Sequence, residues 1–318
     1  MGKDNKKHRE EDPDPDPPPR LPMRPRRGPR PESHPAGTMV TRGEASPPFS
    51  KLMTRTPERI VCLTEETTET LYLFGEERRI VGISGFTVRP RRARAEKPRV
   101  CAFTSAKIDR ILALEPDLVL GFSDLQAPIA DALIRLGLEV HIFNQRDVSG
   151  ILRMIETLGA LVGCAERAAT LIQDIESGLA RIRHHAQAWP RHPRVYFEEW
   201  DDPLISGIGW VSELIEMAGG SDCFRDQARK PLGKDRIISD PARIVEANPD
   251  LILVSWCGKK FKPEKLRARP GFDGIRAVAT GWIHELPACE ILQPGPAALT
   301  DGVERLHGLI GQWVERSA

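Results

Sequence analysis

The 318-residue chain is poor in the features that usually settle function early. No apolar run reaches the ~18 residues that a membrane-spanning helix needs. Neither Met1, Met39 nor Met53 is followed by a charged start, an apolar core and a small-residue cleavage site, and no cysteine sits just behind an apolar leader. On this reading the protein is cytoplasmic, and a periplasmic address would require a different start site. The six cysteines, at 62, 101, 164, 223, 257 and 289, contain no C-x-x-C pair. That argues against a zinc knuckle or a disulfide frame and for free thiols in a reducing compartment. Lys and Arg number 46 against 45 Asp and Glu, a formal charge of +1, so nothing electrostatic invites nucleic acid. No glycine loop of the P-loop or G-x-G-x-x-G kind is present to cradle a phosphate. Aromatic residues make up only 6% of the chain, which makes their positions informative.

Proline, in contrast, is abundant at one end. Residues 1–56 carry 12 of the 28 prolines, interleaved with Arg, Asp and Glu. Too few apolar residues accompany them to offset the entropy of ordering, so the expectation is a disordered tail. The rest of the chain carries a loose internal repeat. Arg110-Ile-Leu-Ala-Leu-Glu-Pro-Asp-Leu-Val-Leu120 returns 133 residues later as Arg243-Ile-Val-Glu-Ala-Asn-Pro-Asp-Leu-Ile-Leu253. Each copy reads as a short helix stopped at Pro-Asp, then a strand buried on both faces. One unit used twice implies two similar lobes.

Around the repeat, strands alternate with helices: Arg59–Thr64, Thr67–Phe74, Arg79–Ser84, Pro128–Leu136 and Glu139–Phe143. That alternation predicts an α/β fold with mainly parallel sheets. From Val148 to His185 the apolar residues step by three and four without interruption, a single helical stripe with a bend allowed at Gly159 or Gly163. The domain plan is therefore a tail over 1–56, an N-terminal lobe over 57–147, a linking helix over 148–190 and a C-terminal lobe over 191–318.

In parallel α/β sheets, ligands bind at the carboxyl ends of the strands. Those ends hold Glu65 and Glu66, Phe86, Phe122, Glu199 and Trp200, and Trp256 and Cys257, with Trp210 just downstream. A cleft walled by flat rings suits a large, flat, partly apolar molecule. The acid pairs Glu65-Glu66 and Glu198-Glu199, read as extended segments, point to opposite faces and form no acid/base couple. Cys257 before Gly258 is a nucleophile candidate without a nearby histidine, so a cytosolic enzyme using the cleft is the competing class.

The order of pieces is similar to one family. A strand with a Thr-Glu helix and a Phe74-Gly75 turn comes first, then Gly82-Ile-Ser-Gly-Phe86 and the first Pro-Asp. In the second lobe follow Glu199-Trp-Asp-Asp-Pro-Leu-Ile-Ser-Gly207, Trp210 to Gly220, Asn248-Pro-Asp250, Cys257-Gly258 and Gln293-Pro-Gly-Pro296. From Arg59 to the C-terminus the chain resembles the helical-backbone solute-binding proteins of ABC importers for cobalamin, haem and iron-siderophores, most of all those labelled cobalamin-binding. The resemblance implies a monomer with no covalent cofactor, holding a small molecule, a corrinoid, between its lobes. Iron-siderophore or haem is the alternative of the same fold. Haem held by the protein would want an axial His or Tyr, and no histidine falls at a strand end. The resemblance also implies a permease partner docked through one acid per lobe. Here those positions are Asp109 and Ala242, so the second acid is missing.

Overall fold

The computed structural model describes residues 56–317. The expectation of a disordered tail lies outside these residues, except at Thr56, whose hydroxyl accepts a hydrogen bond from Arg79 at 3.0 Å and belongs to the folded part.

The first lobe is a five-stranded, all-parallel sheet in the order β3-β2-β1-β4-β5. Its strands are β1 (Ile60–Cys62), β2 (Ile80–Ser84), β3 (Arg99–Cys101), β4 (Leu118–Phe122) and β5 (Val140–Phe143). β1 and β4 are buried along their whole length, as unbroken apolar runs covered on both faces must be. Three helices matter here: α1 (Glu65–Leu73), α2 (Ile108–Leu112) and α3 (Ala127–Arg135).

The second lobe centres on β6 (Arg194–Asp201), paired in parallel with β9 (Leu251–Val254), which in turn pairs with β10 (Ile283–Glu285). The other edge of β6 is shared. Its start pairs in parallel with the two-residue β8 (Ser221–Asp222), and its end folds back as an antiparallel hairpin with β7 (Leu204–Ser206).

The sequence repeat is a structural repeat. Glu115 and Asn248, the residues before the two prolines, both take the left-handed conformation at φ 43°. That turn ends α2 and its counterpart α7 (Ala242–Ala247) and drops the chain into the central strand. Asn tolerates this region well, whereas Glu115 holds it without that advantage. The aspartate after each proline then fastens the first strand of its lobe. Asp117 accepts from the Glu58 and Arg59 amides at 2.7 and 2.9 Å, and Asp250 accepts from the Arg194 amide at 2.9 Å. The β1–β4 ladder pairs Ile60 with Leu118, and the β6–β9 ladder pairs Val195 with Leu251, so both units deliver their strands in the same way.

The single stripe expected over 148–190 is two helices. They are α4 (Val148–Leu161) and α5 (Ala165–Gln187), parted at Gly163, whose φ of 73° no continuing helix allows. The apolar spacing carries through the break because both helices bury the same core. α4 starts where its Val148 amide meets Glu213 of the second lobe and ends where the Val162 carbonyl accepts from Arg79 of the first. It packs on α5, with Gly159 against Ala168. α5 then runs back from the first lobe to the second, over roughly 34 Å at 1.5 Å per residue. Near its start Arg167 meets the Phe74 carbonyl and Glu76, and near its end His185 meets His307 at 2.7 Å. His307 lies on the last helix, α8 (Val303–Ser317).

Candidate functional site

Several direct ties join the segments that follow β1, β2 and β5 to the second lobe. Glu69 on α1 accepts from the Ala297 amide at 3.2 Å and from Arg89 at 2.8 Å. Arg89 also reaches Asp301 at 2.6 Å, so one guanidinium bridges acids of both lobes. Gln145, just beyond β5, donates to the Pro294 carbonyl at 2.8 Å. The backbone at Gly295 lies so close to Glu66 that a methyl group there would come within 2.5 Å of its side chain.

Glu65 and Glu66 are not in an extended segment. α1 begins two residues earlier than the apolar pattern predicts, so both acids occupy its first turn and both are buried. A helix start accommodates acids, and here the preference for carboxylates overrides the apolar signal. Burial, then the neighbouring Glu66 and Glu69, pushes Glu65 up to about 8. Burial pushes Glu66 up to about 7, opposed by the Thr64 hydroxyl, which donates to it at 2.6 Å. Glu69 is also raised, by burial, despite its pairing with Arg89. Across the cleft, burial and the charges of Glu65 and Glu199 raise the thiol of Cys257, while burial, Glu290 and Glu65 raise that of Cys289. Arg146 is depressed by burial and by Arg236, with Asp124 and Glu199 acting the other way.

The rings predicted to line the cleft divide into two groups. Phe86, after β2, is 47% exposed, and Trp200, at the tip of the β6–β7 hairpin, is half-buried with its indole nitrogen on the Asp202 carbonyl at 2.9 Å. Phe122, Trp210 and Trp256 are buried instead. Trp210 donates to the Ile291 carbonyl at 2.9 Å, and Trp256 to Glu198 at 3.2 Å. Trp256 also meets Phe261 edge-on, and Arg146 covers the Phe122 ring. Position at a strand end does not say which way a ring turns, so exposure was not legible. Glu199 is held by Arg236 through two contacts, at 2.6 and 2.9 Å, and Cys257 is exposed. Reasoning from strand ends missed Arg146 and the bridging Arg89. The last belongs to the basic run Arg89-Pro-Arg-Arg-Ala-Arg94, whose arginines line a cavity of about 800 Å³ with Glu69, Tyr72 and Cys289 while Arg91, Arg92 and Arg94 stay exposed.

Tyr72 lines the same cavity, whereas Tyr196 is fully buried. Tyr72 donates to Glu96 at 2.6 Å and Tyr196 to Glu198 at 3.2 Å. His141 and His284 lie within β5 and β10, and His184, His185 and His307 at the far joint of α5 and α8. Among the described residues no cluster of three or more His, Cys, Asp or Glu side chains is arranged to hold a metal ion. Asp109 stands exposed on α2, whereas Ala242 occupies the matching place on α7. The nearby Asp240 accepts from the Ala242 amide at 2.9 Å and caps that helix.

Comparison with known proteins gives these lobes a context. The model of the periplasmic binding protein family matches residues 60–289. An ABC transporter substrate-binding lipoprotein of Bacillus subtilis, YvrC, is 25% identical over 259 residues, 79% of each chain. A vitamin B12-binding protein of Yersinia pseudotuberculosis is 26% identical over 203 residues, 62% of this chain and 69% of its own. Among solved structures, the periplasmic vitamin B12-binding protein BtuF of Vibrio cholerae superposes with a TM-score of 0.64 at 23% identity, covering 81% of this chain and 98% of that one. The periplasmic haem-binding protein RhuT of Roseiflexus superposes with a TM-score of 0.67 at 23% identity, covering 80% and 99%. The two superpositions establish the fold and do not separate the ligands. The cytoplasmic assignment is overturned, because the matching family is periplasmic and a relative is a lipoprotein. The cysteine argument failed for a physical reason. All six thiols are free, but Cys62, Cys101 and Cys164 are buried as small core residues, so their spacing reflects packing and not compartment.

Proposed function

The chain belongs to the periplasmic binding protein family, as a solute-binding protein of the ABC-importer type, and on that premise we propose that its cleft holds a corrinoid. The observation that carries this reading is the pair of accessible rings at strand ends, Phe86 after β2 of the first lobe and Trp200 at the end of β6 of the second. Two rings, one from each lobe, suit the faces and edge of a large flat macrocycle. The likeness to vitamin B12-binding proteins supports the corrinoid and not a cytosolic enzyme using Cys257.

As a binding protein of this type the chain delivers its ligand to a permease. We place the docking surface on the α2 and α7 side, where Asp109 is exposed and the second acid is replaced by Ala242.

The test is a titration of the full chain with cyanocobalamin and with cobinamide, followed by calorimetry and tryptophan fluorescence. One-to-one binding with quenching of Trp200 supports the proposal. Neither heat nor quenching up to about 100 μM, a free-energy limit near −5.5 kcal/mol, rejects it. Haemin binding in its place would keep the fold argument and remove the ligand.

A further inference from the structure

Trp200 stands on a short hairpin, and a side chain from another segment reaches over to hold it. β6 and β9 run in parallel, with Glu198 opposite Val254, so the loop that follows β9 emerges beside the end of β6. That loop, Ser255-Trp-Cys-Gly-Lys259, turns at Gly258, whose φ of 71° a glycine adopts without strain. The turn delivers Lys259 onto the hairpin. Its ammonium lies 5.2 Å from the centre of the Trp200 ring and 5.1 Å from that of Trp256, within cation–π range of both. Asp201, the chain neighbour of Trp200, accepts from the same ammonium at 2.5 and 2.7 Å.

The two rings that share this cation are unlike. Trp256 is 4% exposed, donates to Glu198 and meets Phe261 edge-on, so it belongs to the core. Trp200 is half-buried, and its indole nitrogen donates to the Asp202 carbonyl at 2.9 Å, a bond within the hairpin itself. Lys259 ties the ring to the core as well, through Trp256 and through Asp201, whose side chain is only 8% exposed. A ring at the surface of a hairpin otherwise samples several rotamers. A ligand that needs one of them must order the side chain, at a cost in affinity. A ring ordered in advance avoids that cost, and one face of the indole, given to the ammonium, leaves a ligand the opposite face or the edge.

We infer that Lys259 is a positioning residue for ligand binding, which fixes the Trp200 ring before the ligand arrives and acts through that ring without touching the ligand. The inference rests on the corrinoid reading, in which Trp200 meets the ligand, and adds the group that prepares it. Asp201 cancels the charge of Lys259, so the pair serves to hold the ring and adds no net charge to the site. Arginine at this position keeps both contacts, because a guanidinium stacks on aromatic rings and pairs with a carboxylate. Glutamine keeps N–H donors for Asp201 but removes the charge that both rings attract.

The experiment measures cobinamide affinity of the full chain by calorimetry, in the wild type, Lys259→Gln, Lys259→Arg, Trp200→Ala and Lys259→Gln combined with Trp200→Ala. Circular dichroism checks each for folding. Should Lys259→Gln not fold, Lys259→Gln with Asp201→Asn, which leaves no unpaired carboxylate, takes its place in the same comparison. Lys259→Gln is expected to weaken binding roughly fivefold to tenfold, the scale of ordering one large side chain on binding. Lys259→Arg should recover most of that loss. In the Trp200→Ala background Lys259→Gln should change affinity by about twofold or less, because the ring it acts on is gone. Without ligand, acrylamide should quench more of the tryptophan emission in Lys259→Gln than in the wild type, and the difference should vanish in the Trp200→Ala background. Wild-type affinity in Lys259→Gln, or an equal loss in both backgrounds, overturns the positioning role and leaves the corrinoid reading standing. A wild type that binds no corrinoid rejects that reading, and the positioning role with it.

Discussion

The two lobes are built from one unit and finished differently. In both, a short helix stops at a left-handed residue, Pro-Asp follows, and the aspartate fastens the lobe's first strand. In the first lobe that strand is three residues long and lies between two parallel neighbours. In the second it runs to eight residues and turns back as a hairpin carrying Trp200. The buried acids differ in the same sense. Glu66 has an unpartnered oxygen, whereas Glu198, fully buried, receives Arg269, Trp256 and Tyr196. The shared unit is scaffold. The parts that differ are where the proposed ligand contacts lie.

The most severe test of this contrast replaces one buried acid per lobe. Glu198→Gln leaves the Arg269 charge without its partner and should cost about 3–5 kcal/mol of unfolding free energy in urea. Glu66→Gln removes no ion pair and should be near neutral or stabilising at pH 8. Equal losses would erase the distinction. A second test addresses the shared clamp. Asp250 is 5% exposed and also pairs with Arg276, so Asp250→Ala should cost about 2–3 kcal/mol. Asp117, which is exposed and bonds only backbone amides, should cost clearly less by the same denaturation.

The third test separates binding from packing. Trp200→Ala should lower corrinoid affinity by about thirtyfold, near 2 kcal/mol, with little change in stability. Trp256→Ala should instead lower the thermal midpoint, since that ring is core. The smallest effect is in pH. Unfolded, Glu65 and Glu66 ionise near 4.5, while folded they hold their protons to about 8 and 7. The folded state thus binds more protons between those values, and stability falls as pH rises from about 4.5 to 8. The double replacement Glu65→Gln with Glu66→Gln should flatten that slope in thermal melts.

The scaffold was largely legible in the sequence because it is written in local terms: a proline, an apolar run, a spacing of 133 residues. What stayed hidden depends on the third dimension. The step pattern from Val148 to His185 survives a chain reversal at Gly163, so periodicity could not count the helices. Strand-end rings were found as a set, yet only packing decides that Trp256 turns inward and Phe86 outward. The acids of α1 were found but placed on the wrong backbone, which concealed that both are buried together.

The ties across the cleft set how this protein exchanges its cargo over time. With Arg89 held by acids of both lobes, Gln145 fastened to Pro294, and α5 continuous beneath them, the expected outcome of loading is a small change of shape. Capture then needs little ordering of the chain, and association proceeds at a rate set by orientation in the encounter, roughly 10⁵–10⁷ M⁻¹s⁻¹. No slow closing step extends the residence time, so differences between ligands appear in dissociation.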